Sequence, residues 1–409
     1  MNKIFSLGLF LVSAVAIGAG DWPQWRGPAR DGSVHGKPWP SSIDETVLRP
    51  LWRVELGSSY SGPIVSGDLV VTTETVGKKS ESVRAYDRVT GKQIWHSEWK
   101  GAMSVPFFAK ANGSWIRSTP ATDGERLYVA GMRDVLVCLD LASGKELWRV
   151  DFVAELNTPL PEFGFVCSPL LDGDHVYVQA GAGFVKLDKK TGNIVWKSLR
   201  DDGGMMGSAF SSPVIGEIGG RRQLVVQTRE KLAGVDLLDG KVLWEQEVPA
   251  FRGMNILTPV IHGDSVFTST YGGKTVLFDI TLEGGIFKVS NRWAYKGQGY
   301  MSTPVVVQGV AYHHLKSQRL LAIDLKDGKE LWTTSKGFGK YWSLVTQGHR
   351  ILALDQRGIL FLFDANTKGF ELTGERKVSE TDTWAHLAVS GDQLFIRELN
   401  ALAAWGWSE

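Results

Sequence analysis

Cysteine is nearly missing from this 409-residue chain, which has only Cys138 and Cys167. That scarcity excludes a disulfide-stapled mini-scaffold and a thiolate-rich metal centre. Charge of one sign is missing too. The 45 Lys and Arg nearly cancel the 44 Asp and Glu, and the net charge is +1. No global field then draws the protein to nucleic acid or to an anionic membrane, so no nucleic-acid partner is expected. Long apolar runs are absent after residue 20, which leaves no later transmembrane segment. Histidine is sparse at eight. The adjacent pair His313-His314 sits on a predicted strand, where neighbours point to opposite faces and cannot easily share a metal. There is no Gly-x-Ser-x-Gly elbow, Walker loop or His-Glu-x-x-His motif. No catalytic and no metal residue is assigned.

The N-terminus carries Lys3, a mostly apolar run from Ile4 to Ile17, and small residues from Gly18 to Gly20. This order reads as a secretory signal over residues 1–20, removed on export to the periplasm or the medium. Export permits a disulfide between the two cysteines, and both that pairing and two buried free thiols are compatible with the sequence.

Glycine (47) and tryptophan (16), by contrast, are abundant. Five times the chain repeats Asp, three residues, Gly, three residues, Trp: Asp87-Gly91-Trp95, Asp140-Gly144-Trp148, Asp188-Gly192-Trp196, Asp236-Gly240-Trp244 and Asp324-Gly328-Trp332. A repeat at this period means an array of one small unit. Each copy is preceded by short apolar stretches separated by polar turns. Six units open on a proline: Pro63, Pro120, Pro169, Pro213, Pro259 and Pro304. The unit is an antiparallel meander of four strands. Asp accepts backbone N–H bonds in the last turn, Gly supplies the left-handed residue, and Trp covers the neighbouring sheet.

Eight units can be counted. The fifth is degraded, with Asp279 followed by Gly284-Gly285 and its Trp displaced to Trp293. The eighth shows only three strands, Trp384–Val389, Gln393–Glu398 and Ala401–Trp407. The missing strand is Leu48–Leu56, at the other end of the chain, with Trp52 where a fourth-strand Trp belongs. The expected fold is therefore all-β: an eight-bladed β-propeller of four-stranded antiparallel blades, closed by an N-terminal strand completing the last blade. The expected domains are signal 1–20, leader 21–47 and propeller 48–409. A closed ring needs no capping partner, and a monomer is expected.

Ala85-Tyr86-Asp87 to Trp95 and its copies resemble the pyrroloquinoline-quinone-like (PQQ-like) repeat superfamily over roughly residues 50–407. The leader Asp21-Trp22-Pro23-Gln24-Trp25-Arg26-Gly27-Pro28, with Arg30-Asp31-Gly32, is similar to the opening of many secreted proteins of that kind. The superfamily includes quinoprotein alcohol dehydrogenases and BamB-type outer-membrane assembly proteins, both eight-bladed propellers. The dehydrogenases hold PQQ against a disulfide of adjacent cysteines and bind Ca²⁺ with acidic and amide side chains. Here the two cysteines are far apart in sequence, and the long blade insertions of those enzymes are missing. The resemblance therefore implies a non-catalytic, BamB-like binding or scaffold protein, with no cofactor. A divergent PQQ- and calcium-dependent quinoprotein, or another oxidoreductase, is the alternative.

Connections from the fourth strand of one unit to the first of the next emerge together at one mouth of the ring. They carry aromatics, Met and scattered cations. The candidate ligand or partner residues are Tyr60, Trp115, Arg117, Phe165, Met206, Arg252, Asn255, Tyr300, Lys340, Trp342, Trp384 and His386. Aromatics with cations suit a planar ligand, a sugar or a peptide, and the cationic bias suits an anion or an acidic segment of an envelope protein. Large side chains that merely plug the wide end of the channel would give the same composition. Whether the leader packs on the ring or reaches outward is left open by the sequence.

Overall fold

A computed structural model of the protein describes residues 20–201 and 207–407. The signal segment up to residue 19, and Met206 of the candidate mouth, lie outside the described residues. The strands form eight four-stranded antiparallel sheets. Blade two is typical: Ala121–Thr122, Arg126–Gly131, Val135–Asp140 and Glu146–Asp151 follow one another outward. Short turns join them, so sequence neighbours become sheet neighbours.

The last blade breaks that order as expected. Its inner strands are Ala388–Ser390, Gln393–Glu398 and Ala401–Trp407, and its outer strand is Leu48–Glu55. The pairing runs antiparallel from Leu48 opposite Trp407 to Glu55 opposite Ala401. The first strand of this blade is shorter than the sequence suggests, because Trp384 to Leu387 belong to the connection at the mouth.

The core is divided among the gaps between blades, and period-two alternation shows why. Leu127 and Val129 pack with Val71, Val83 and Ala85 of blade one. Tyr128 and Ala130, on the other face of the same strand, pack with Val176 and Val178 of blade three. Middle strands are thus buried on both faces and read as continuous apolar runs. The outer strand Glu146–Asp151 alternates between exposed and half-buried residues. Cys138 and Cys167 both lie in the gap between blades two and three as buried free thiols. Burial pushes them up to about 12 and about 11 respectively.

The repeated Asp, Gly and Trp staple blade to blade. Asp87 Oδ1 accepts from the backbone N–H groups of Val89 and Thr90 at 3.1 and 2.7 Å. Trp95, in the outer strand of blade one, donates its indole N–H to the Leu141 carbonyl of blade two at 2.9 Å. Its ring lies flat over Gly144, whose φ is +72°. The same ring-over-glycine contact joins Trp52 to Gly91, Trp148 to Gly192, Trp196 to Gly240 and Trp293 to Gly328. Trp244 and Trp332 are the exceptions: Trp332 donates its indole N–H to the Asn366 carbonyl of blade seven at 2.7 Å, in a turn where Lys368 stands in the glycine's place. Blade five lacks the Asp-to-Gly turn and has a longer hairpin, Thr275–Glu283 with Ile286–Tyr295. With no turn to cover, Trp244 donates within its own blade to Gln223 Oε1 at 2.6 Å.

A Cβ at residue 144 would overlap the Trp95 ring, and the backbone there is left-handed. Gly144→Ala is expected to cost about 3 kcal/mol, from strain and displacement of the ring together. Urea unfolding measures it; a change below about 0.5 kcal/mol would show that the staple yields without cost.

Candidate functional site

The leader answers the question that its sequence left open. It enters from the face of the first-to-second strand turns. There Ser390 Oγ donates to the Gly20 carbonyl, and the Gly67 N–H donates to Asp21 Oδ1 at 3.1 Å. It then turns into the axial channel. Trp22 forms an isolated antiparallel bridge with Val65 of blade one. The Pro23 carbonyl accepts from the Thr122 N–H at 2.9 Å. Trp25 Nε1 donates to Thr258 Oγ1 at 3.0 Å. The chain leaves through a bridge between Ser33 and Thr346 of blade seven.

Two buried arginines anchor this plug. Arg30 donates to the carbonyls of Pro169 and Ser168 at 2.7 and 3.1 Å. Arg26 donates to the carbonyls of Asp31 and Pro304, both at 2.7 Å. Burial pulls Arg26 down to about 10 and Arg30 to about 9, so both remain charged at neutral pH. Convergent carbonyl dipoles at the start of the inner strands replace the water these cations have lost. The leader turns an open channel into a cup.

The cup opens at the other face and measures about 620 Å³, within the range of small-ligand sites. Trp25 contributes to it from the leader. One wall is the series Tyr60, Trp384 and Tyr341: Tyr60 lies 5.8 Å from Trp384, and Trp384 stacks on Tyr341 at 6.1 Å and 9°. The facing wall runs through Phe108, Phe163 and Phe210, with centroids 6.3 and 5.5 Å apart. It continues into Tyr271 and Tyr300, 4.7 Å apart. The cations are Arg117, Arg252, Lys316 and Lys340, and the described lining holds no Asp or Glu.

None of these four cations has an ion-pair partner among the described residues. Arg117 donates to the backbone carbonyls of Trp115 and Gly113 at 3.1 and 3.3 Å. Burial pulls it down to about 10. Arg252, in a left-handed backbone conformation, holds its guanidinium 5.2 Å from the Phe108 centroid and 5.1 Å from Phe251. Lys316 sits 4.5 Å over Tyr271. One buried cation and three exposed ones, in a described lining without carboxylates, favour an incoming negative charge.

Of the residues singled out from sequence, Tyr60, Arg117, Arg252, Tyr300, Lys340 and Trp384 line the cup. Five described ones do not. Trp342 is fully buried between blades six and seven, and its neighbour Tyr341 faces the cup instead, because strand neighbours alternate. Asn255 is buried while Met254 and Ile256 face in. Its Nδ2 donates to the carbonyls of Thr228, Arg229 and Val248, which ties the connection to blade four. Phe165 packs edge-on against Phe152, and Phe163 takes the cup position across the left-handed Gly164. Trp115 lies half-buried over Gly113. His386 is buried beneath the leader, 5.0 Å from the Trp25 ring, and burial depresses it to about 3.

The lining residues that the sequence reading missed have three origins, and Phe108, Phe163, Phe210 and Tyr341 come from the connections themselves. Tyr271 and Lys316 come from second-to-third strand turns. An antiparallel meander returns to the same face at every second turn, so these turns share the mouth with the connections. Trp25 is contributed by a segment that no blade repeat predicts.

PQQ with Ca²⁺ does not fit this cup. The two cysteines lie outside its lining, in the core between blades two and three, and the described lining offers Ca²⁺ no carboxylate. His313 and His314 are both buried, depressed to about 3 and about 4, and no group of three potential metal ligands occurs among the described residues. No described helix is long and apolar enough to cross a membrane.

Comparison with known proteins supports the architecture. The family profile described as outer membrane protein assembly factor BamB matches residues 79–334. The protein of that name from Yersinia pestis is 24% identical over 317 residues, covering 68% of this chain and 75% of its own. The one from Shewanella oneidensis is 22% identical over 332 residues, covering 76% of each. The crystal structure of BamB from Moraxella catarrhalis superposes with a TM-score of 0.62 at 15% identity, over 89% of this chain and 98% of that one. This last likeness concerns the fold alone. A profile match across the blade repeats, on a ring of eight four-stranded sheets, establishes that the chain belongs to the BamB family of PQQ-like repeat propellers.

Proposed function

We propose that the mature protein, starting near Asp21 and located in the periplasm or secreted, is a scaffold that holds a partner or ligand in the cup and catalyses no reaction. The observation that carries this reading is the composition of the cup: two aromatic walls and four cations, with no carboxylate in the described lining. Such a lining binds and orients, and its described residues include no carboxylate or imidazole to act as a general base. His386, the imidazole nearest in sequence to the Trp384 wall, is covered by Trp22 and Trp25. The relatives named for outer membrane assembly favour a protein partner in the cell envelope. In this reading the closed ring acts as a monomer.

A photo-crosslinking residue placed at Tyr300 is expected to capture a discrete envelope protein. The same residue at Val89, in a third-to-fourth strand turn, is expected to capture none. Equal capture at both positions, or dye-linked alcohol oxidation after loading with PQQ and Ca²⁺, would overturn the scaffold reading.

A further inference from the structure

The cup does not end at its wall. The connection from blade one to blade two carries a short 3₁₀ turn, Phe107–Asn112. It reaches across the mouth to the connection between blades four and five, where Arg252 lies against Phe108. At this rim Phe107 is 83% exposed, Phe108 47% and Phe251 53%. Exposed aromatics of this size, gathered on one edge, mark a contact surface. A ligand lying wholly within the cup would leave them uncovered.

We propose that the cup and this rim together bind an acidic peptide segment of a protein partner, a bulky apolar side chain of which enters the cup. This rests on the scaffold reading and adds the chemistry of the partner. Two observations select the occupant. Charge complementarity is one: Arg117, Arg252, Lys316 and Lys340 have no carboxylate partner among the described residues. The continuity of the aromatic surface is the other. Phe108, Arg252, Phe251 and Tyr271 form an unbroken ladder from the outer rim inward, with Phe251 edge-on to Tyr271 at 5.6 Å. A chain leaving the cup along that ladder covers the rim. The leader shows that this channel already holds a chain segment, folded into turns, from the opposite face: Trp22, Arg26 and Arg30 are received by backbone groups and buried there. At the mouth the signs are reversed, because the ring supplies the cations.

The test is to pan a random dodecamer display library on the immobilised mature chain at low salt. The expected consensus places two or more Asp or Glu beside Phe, Leu or Trp. A labelled peptide of that consensus is expected to bind at least about tenfold more weakly to Arg252→Ala/Lys316→Ala. Replacing its carboxylates by amides should weaken it to a similar extent. Phe107→Ser/Phe108→Ser, at the partly exposed rim, should weaken it about fivefold while far-ultraviolet circular dichroism stays that of the wild type. No enrichment, or a basic or uncharged consensus, overturns the proposal. So does phenylacetate displacing the peptide while the Phe107→Ser/Phe108→Ser variant binds as well as the wild type, because the cup would then serve a small anion. If the peptide chemistry fails while crosslinking from Tyr300 still captures an envelope protein, the scaffold reading stands and only the partner's chemistry falls.

Discussion

A chain lacking Leu48–Glu55 is expected to be recovered only as aggregate. The segment supplies the whole outer strand of blade eight and pairs with Ala401–Trp407 along its full length. Without it, the last blade ends on an open edge of unpaired N–H and C=O groups, which templates association between chains. More than a ladder is lost. Trp52 donates its indole N–H to the Arg88 carbonyl of blade one at 3.0 Å and covers Gly91. Arg53 donates to both carboxylate oxygens of Glu398, at 2.8 and 3.0 Å. These are the links by which the two ends of the chain meet, so cooperativity of the ring depends on them. Size-exclusion chromatography and far-ultraviolet circular dichroism of the deletion variant decide the point. A soluble, cooperatively unfolding product would show that the ring closes without this strand.

Arg30→Ala is expected to destabilise the protein by about 3 kcal/mol, which is large for one side chain. The guanidinium bonds two carbonyls at the start of blade three and Gln24 Oε1 within the leader. Removing it takes the guanidinium donor from the buried Pro169 carbonyl and leaves the Ser168 carbonyl with the weak Cys167 thiol, which exposes a desolvation penalty. Arg30→Lys is expected to recover only part of the loss. An ammonium restores the charge but not the planar fork that meets two adjacent carbonyls. The companion observation is limited proteolysis. In Arg30→Ala the 21–33 segment should become cleavable, because it is held mainly by Arg26, Arg30 and the bridges at Val65 and Thr346. A variant within 0.5 kcal/mol of the wild type, with a protected leader, would show that the plug does not depend on this arginine. The result also bears on the cup. Trp25 is part of its lining, and among the described residues its side chain is anchored by Thr258 and the His386 ring. A leader that comes loose takes that wall with it.

Legibility of the molecule follows the range of the interactions. The Asp-to-Gly turn is local, and Asp87 bonding Val89 and Thr90 could be read from spacing. The blade count followed from repetition, and the borrowed strand from a unit one strand short at one end and a lone strand at the other. The candidate site was half legible. The mouth was found because its segments interrupt the repeat, but the residues facing inward were misplaced by one or two positions at Phe165, Asn255 and Trp342. There a left-handed glycine or simple strand alternation sets direction, and composition carries no record of it.

By itself the sequence determined the ring: eight copies of one four-stranded unit, their staples and their closure, because each of these is a local pattern repeated or left incomplete. Only the tertiary structure decided that the leader plugs the channel from one face, that Trp25 joins a cup with Tyr271 and Lys316, and that four cations meet there in a described lining without a carboxylate. Those are relations between segments hundreds of residues apart, such as Arg26 with Pro304. They arise from where the closed ring brings its loops and not from any pattern along the chain.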